Sequence, residues 1–133
     1  REPGCIGVRT PSKTGVLHLT DLGAVDRALD AIHPLIRHLD VTVLDGFLLN
    51  HLLGIDCVRA GQDGELLYTH DDRHALESVE RDGVSAAFLL RRPKMSEVAE
   101  ACLAGQVMPQ KSTYFFPKTI DGIAFYALDG CAG

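Results

Sequence analysis

The sequence predicts an α+β domain: an antiparallel or mixed sheet of about five to six strands, with helices packed mainly on one face. Three observations lead to this prediction. Strand-like and helix-like patterns alternate irregularly along the chain, hairpin signals lie near both ends, and 133 residues suit one compact domain. Residues 1–133 are therefore expected to form a single domain around one core.

The first predicted elements are a hairpin and a helix. Residues 5–10 (CIGVRT) and 14–20 (TGVLHLT) contain several β-branched residues, and a Pro-Ser-Lys turn separates them. Asp21 is a good N-cap for the helix that follows. Because proline disrupts a helix interior, Pro34 is expected to end or kink that helix.

The clearest helix is predicted over residues 41–53. Its apolar side chains recur at helical spacing and extend beyond a single stripe, which favours burial on more than one side. Asp40 is the predicted N-cap, and Gly54 suits the position after the last turn. Asp45 and His51 are six residues apart and should not share a face, which argues against a catalytic pair.

The second half continues the alternation of strands and helices. Residues 65–70 predict a strand, and Asp71 or Asp72 caps the helix after it. The continuous apolar run 84–90 predicts a central strand. Residues 95–104 are amphipathic and predict the last helix.

A second hairpin is expected to close the chain. Residues 113–116 and 123–128 have the composition of strands. The Asp-Gly pair at 121–122 is a strong turn signal between them.

Charge and cysteine content exclude several classes of function. The net charge of −5 argues against nucleic acid as a partner, and no apolar run approaches the roughly 20 residues of a membrane span. The four cysteines are far apart and form no Cys-x-x-Cys pair, which indicates reduced thiols in the cytoplasm. His70 and His74 should not stack, because the helix begins between them. No metal and no cofactor are therefore predicted.

The strongest functional marker is the segment 108–118 (MPQKSTYFFPK). Lys111, Ser112 and Thr113 offer an ammonium group, two hydroxyls and backbone N–H groups, which are the donors that bind phosphate or carboxylate. Lys118 adds a second cation. The alternative is a strand that packs one face in the core beside a solvated lysine, since the segment is no P-loop.

Arg91 and Arg92 are further candidate ligand-binding residues. They follow the predicted central strand, and ligands often approach a sheet where its strands end. Guanidinium groups suit phosphate recognition. The alternative is a solvated loop that discourages the association of sheet edges.

Several segments of the chain resemble one protein family. They are AFLL at 87–90, AG at 104–105, VMPQKSTYFFPK at 107–118, and weaker signatures at 39–44 and 52–55. The pattern resembles the carboxy-terminal part of a widespread bacterial family known as domain of unknown function 1015. The resemblance covers most of residues 39–128.

Members of that family are usually longer than this chain. Their preceding region resembles the amino-terminal domain of ParB, a fold that some free-serine kinases also use. The resemblance implies that this chain is the carboxy-terminal fragment of a longer protein. Gln106 stands where the family often has Glu, so a carboxylate acting there is missing.

The sequence leaves three functions open. The first is binding of an anionic small molecule, either a phosphorylated metabolite or an amino-acid carboxylate, through the loop of Lys111, Ser112 and Thr113. The second is a structural or interaction module that associates with a second copy, as a homodimer, or with a preceding domain. The third is part of a kinase-like enzyme for free serine whose catalytic region is absent from this chain.

Overall fold

The computed structural model describes residues 4–81, 83–109, 112 and 113. These residues form an α+β fold that combines helices with a three-stranded antiparallel sheet. In chain order the elements are β1 (Cys5–Arg9), β2 (Thr14–His18), α1 (Leu22–Ala28), α2 (Pro34–Arg37), α3 (Asp40–Thr42), a π-helix (Val43–Leu52), α4 (Cys57–Gln62), α5 (Asp72–Arg81), β3 (Ala87–Leu89) and α6 (Met95–Leu103).

The sheet has the strand order β2–β1–β3, and both outer strands run antiparallel to β1. The predicted opening hairpin is therefore confirmed. Ile6 pairs with Leu17, and Val8 pairs with Phe88, so these four side chains share one face. Ile6 is buried and Phe88 packs against the same cluster, which makes this the face that meets the core.

The main core lies between that sheet face, α1 and the π-helix. Its buried members are Ile6, Val25, Val43, Leu44 and Leu49. The position of α1 is determined locally, since the Asp21 carboxylate accepts a hydrogen bond from the Ala24 N–H at 3.1 Å. The predicted N-cap at Asp21 is confirmed.

A second buried cluster joins α2 to α6. Ile36, Leu39 and Ala101 are its buried members, and Ile32, Val41 and Met108 pack against them. Pro34 does not end α1 as predicted, because α1 already ends at Ala28 and Pro34 begins α2. Proline suits a first helical position, where its missing N–H would have no helical partner in any case.

The long predicted helix forms, but most of it is π-helical rather than α-helical, and Gly54 follows it with a φ of +70°. The N-cap is Leu39, so the capping role predicted for Asp40 is wrong. The physical reason is that the Asp40 carboxylate binds groups outside the helix. It accepts hydrogen bonds from the N–H of Gly4 at 3.0 Å and from Nε of Arg91 at 3.2 Å.

The strand predicted at residues 65–70 is absent, and α4 precedes this segment. The N–H groups of Glu65 and Leu66 donate to the Ala60 carbonyl at 2.8 and 3.0 Å. They close the end of α4, so they cannot join a ladder of strand hydrogen bonds. Leu66 packs against the main core, whereas Leu67 and Tyr68 are exposed.

The described sheet has three strands, not the five to six predicted. β3 is shorter than the apolar run 84–90, and among the described residues it pairs only with β1. It is therefore an edge strand of this sheet, whereas a central strand was predicted. The strand predicted at 113–116 begins at Thr113, which lies in no strand. Its remaining residues and the hairpin through 123–128 lie outside the described residues.

The two remaining helices agree with their predictions. Asp71 caps α5, because its carboxylate accepts hydrogen bonds from the N–H groups of Arg73 at 2.9 Å and His74 at 3.2 Å. The helix α6 occupies most of the predicted segment 95–104, and Gly105 follows it with a φ of +66°. These ends depend on neighbouring residues, which is why local patterns identified them.

Candidate functional site

Arg91, a predicted anion ligand, is bound by two carboxylates. Its two terminal nitrogens donate to the Glu97 carboxylate at 2.8 and 3.0 Å, and its Nε donates to Asp40 at 3.2 Å. The Arg91 and Asp40 side chains are only 11% and 4% exposed. The hydrogen bonds between Arg91 and Glu97 raise the pKa of Arg91 and lower that of Glu97. A ligand would have to displace these carboxylates, so the geometry favours a structural role for Arg91.

This network, formed by Asp40, Arg91 and Glu97, joins three segments that are distant in the chain. The Gly4 N–H binds one oxygen of Asp40, and Arg91 binds the other. Glu97 also accepts the Lys94 N–H at 2.7 Å, at the start of α6. The start of β1, the start of α3 and the start of α6 are therefore held together by charge-assisted hydrogen bonds.

Arg92 differs from its neighbour. It is exposed, and it forms no ion pair with any residue that the structure describes. Its carbonyl accepts a long hydrogen bond of 3.4 Å from Arg91. The Arg92 guanidinium is thus accessible to an anion, while that of Arg91 is already occupied.

The described part of the predicted binding loop is anchored at two points. Met108 packs against the second buried cluster. Ser112 donates to the Pro109 carbonyl twice, from Oγ at 2.6 Å and from its N–H at 3.3 Å. Thr113 is half-buried. Two of the predicted ligands lie outside the described residues, namely Lys111 and Lys118.

A groove of about 310 Å³ opens between α1 and the π-helix. It is lined by Ala24, Arg27, Ala28, Phe47, His51 and Leu52. The Phe47 and His51 rings stack, with centroids 5.7 Å apart and planes inclined by 16°. The groove therefore combines an apolar lining with two basic side chains.

The π-helix explains why Leu52 lines the groove together with Phe47. Hydrogen bonds in a π-helix join residues five apart, as the Leu53 N–H and Leu48 carbonyl do at 3.1 Å. Residues five apart therefore lie near one face. In an α-helix they would differ by about 140°. An α-helix over residues 41–53, as the sequence predicts, would not bring Leu52 to the face of Phe47.

Asp45 belongs to a separate polar cluster with Tyr68 and Cys57. The Tyr68 hydroxyl donates to Asp45 Oδ2 at 3.4 Å, and the Cys57 thiol donates to the Asp45 carbonyl at 3.6 Å. Asp45 Oδ1 is inaccessible and has no hydrogen-bond partner among the described residues. Burial raises the pKa of Asp45, and burial together with the nearby Asp45 charge raises the pKa of Tyr68 to about 12.

The Asp45→Asn substitution should reduce the loss of stability that Asp45 causes as the pH rises. Because burial raises the pKa of Asp45 above 3.8, the folded chain keeps a proton that the unfolded chain releases. The stabilising contribution of the protonated form is present below 3.8 and is lost as the pH rises through the folded-state pKa. Urea unfolding across the acidic range should show the wild type losing stability relative to the variant. A difference that is constant with pH would contradict this prediction.

Two histidines form side-chain pairs in other parts of the fold. His38 Nε2 lies 2.8 Å from Asp26 Oδ1, and Arg37 donates to the same oxygen at 2.9 Å. These contacts, with the hydrogen bond of Arg37 the largest cause, lower the pKa of Asp26. Cys5 Sγ lies 3.3 Å from His18 Nδ1 across the β1–β2 pair. The first pair joins α1 to the end of α2, and the second joins the two hairpin strands.

Comparisons with known proteins do not indicate a function for any of these residues. No family model matches the chain, and no curated protein or solved structure is significantly similar to it. Among the described residues, no group of three or more His, Cys, Asp or Glu side chains could hold a metal ion. None of the described helices is long and apolar enough to cross a membrane.

Proposed function

We propose that this chain is an association module whose apolar surface binds a second copy of itself. The observation that carries the proposal is the set of exposed aliphatic side chains at residues 52–58, called here the 52–58 surface. Leu52, Leu53, Ile55 and Val58 are 56%, 57%, 39% and 73% exposed. Single exposed leucines are ordinary, but we propose that these four side chains, which lie within one short segment, form the contiguous apolar patch that is typical of protein–protein contact surfaces.

The 52–58 surface suits a symmetric partner because it offers little charge to complement. Asp56 is its one charged residue, and its carboxylate accepts the N–H groups of Val58 and Arg59 at 3.0 and 3.1 Å. A partner therefore need not supply an opposite charge. Two copies related by a two-fold axis would each bury the same aliphatic side chains.

Light scattering coupled to size-exclusion chromatography tests this proposal. The wild type should form a dimer, and the double variant Leu53→Ser, Val58→Ser should raise the dimer dissociation constant by about tenfold or more, since two aliphatic contacts are lost. Leu103→Ser is the matched control, because Leu103 is an exposed leucine on α6. A monomeric wild type, or equal weakening by the control, would exclude the 52–58 surface as the interface.

A second candidate function is binding of an anionic small molecule, a phosphorylated metabolite or an amino-acid carboxylate, by the predicted loop. The observation that favours it is the anchoring of the loop through Met108 and the Ser112–Pro109 hydrogen bonds. Met108 and Ser112, which these contacts already hold in place, lose less entropy when a ligand binds. Because both donors of Ser112 go to Pro109, Lys111 and Thr113 are the proposed contacts and Ser112 supports them.

Calorimetric titration with phosphoserine, ADP and ATP tests the second candidate. Lys111→Ala should weaken binding of at least one of these anions by about tenfold, the loss expected for one charge-assisted hydrogen bond. Lys13→Ala is the control, since Lys13 is an exposed lysine in the turn between β1 and β2. Binding that is equal in both variants, or absent from the wild type, would remove this candidate.

A further inference from the structure

We propose that the groove between α1 and the π-helix binds a small carboxylate that carries a planar apolar ring. This site shares Leu52 with the 52–58 surface and shares none of its lining residues with the predicted anion loop. Its volume of about 310 Å³ lies at the lower end of the range of about 300–1,000 Å³ that is usual for small-molecule sites. A ligand with one or two rings is the size that such a volume admits.

The walls of the groove suit a flat apolar group. Ala24 and Ala28 are one helical turn apart on α1, so two methyl groups form that side and leave space above the backbone. Phe47 and Leu52 form the opposite side. The stacked Phe47–His51 pair offers a further ring an aromatic surface to pack against, in an offset or edge-to-face arrangement.

The charge on the groove lining favours an anion. The Arg27 side chain is 74% exposed, and its nearest carboxylate is Asp21 at 3.5 Å, an exposed pair that contributes little stability. His51 adds a second basic group. A ligand carboxylate can therefore recruit Arg27 in a bidentate pair at small cost to the fold. The Asp21 carboxylate would keep its hydrogen bond from the Ala24 N–H, which involves its other oxygen.

The probe for this site is 2-naphthoate, with 2-naphthalenemethanol as its neutral counterpart. The chain contains no tryptophan, so naphthyl fluorescence can be followed with little protein background. We expect 2-naphthoate to bind with a dissociation constant of about 1 mM or lower and to shift the amide resonances of residues 24–28 and 47–52. The neutral alcohol should bind at least about tenfold more weakly.

Two variants separate the shape of the groove from its charge. Ala28→Leu should abolish binding of both probes, because the larger side chain fills the groove. Arg27→Gln should weaken 2-naphthoate by about tenfold and leave the alcohol unchanged. Arg59→Gln is the matched control for charge, because Arg59 is 82% exposed and also lies 3.5 Å from one carboxylate, that of Asp63.

Three results would overturn the proposal. The first is the absence of amide shifts with 2-naphthoate at about 10 mM, ten times the weakest dissociation constant expected. The second is equal weakening by Arg27→Gln and Arg59→Gln, which would indicate a non-specific charge effect. The third is unchanged binding by Ala28→Leu once its circular dichroism shows a folded chain. Because Arg27 is exposed, Arg27→Gln keeps the test decisive even if Ala28→Leu fails to fold.

Discussion

Replacement of Arg91 by Met should lower the free energy of unfolding by about 3–5 kcal/mol, the usual cost of leaving a buried charge without its partner. The Asp40 carboxylate is nearly inaccessible to solvent. Among the residues that the structure describes, it would keep only the Gly4 N–H as a hydrogen-bond partner. Glu97 would also lose the guanidinium group that binds both of its oxygens. Urea denaturation monitored by circular dichroism measures the change.

The neighbouring arginine provides a matched control for this substitution. Arg92→Met removes the same charge from an exposed side chain and should change the stability by no more than about 0.5 kcal/mol. Adding Asp40→Asn to Arg91→Met should recover part of the loss, because no carboxylate is then buried without a cation. If Arg91→Met were as mild as Arg92→Met, the network of Asp40, Arg91 and Glu97 would not be what holds these segments together.

Leu49→Ala should destabilise the fold by about 2–5 kcal/mol, since it removes buried methyl groups and leaves a cavity. Leu49 lies on the π-helix and is buried in the main core, where Val25 and Leu44 are also buried. Both transfer of the side chain from water and its packing contribute to this cost. Differential scanning calorimetry or urea denaturation provides the measurement.

Leu103→Ala is the control for the core substitution. Leu103 is 89% exposed at the end of α6, so the same shortening should change the stability by no more than about 0.5 kcal/mol. Similar losses from Leu49→Ala and Leu103→Ala would show that the main core is not built around Leu49. A larger effect of Leu49→Ala on the unfolding rate than on the folding rate would place its packing late in folding.

Features that depend on adjacent residues could be predicted from the sequence. The opening hairpin, the caps at Asp21 and Asp71, and the glycines that follow the π-helix and α6 all have local causes. A capping carboxylate lies within three residues of the N–H that it binds, and a left-handed residue favours glycine whatever surrounds it. Such features therefore appear directly in the pattern of residue types.

Features that depend on distant residues could not be predicted in the same way. Asp40 has the residue type of an N-cap, but its carboxylate binds Gly4 and Arg91, which lie 36 and 51 residues away. The residue type of Arg91 suits an anion, yet no neighbouring residue in the sequence identifies its partners as the chain's own carboxylates. The π-helix likewise has no composition that separates it from an α-helix, so neither its register nor the groove could be anticipated.

The long separation between Gly4, Asp40 and Arg91 has a consequence for synthesis on the ribosome. The hairpin and the long helix leave the ribosome well before Arg91 does. The Asp40 carboxylate is therefore at first hydrated and has no cation to pair with. The hydrogen bonds that join Gly4 and Asp40 to Arg91 can therefore be completed only after β3 and the start of α6 have left the exit tunnel. In a nascent chain that is stalled before residue 91, the opening hairpin should be poorly anchored and proteases should cleave it. The released chain should resist proteolysis at the same place.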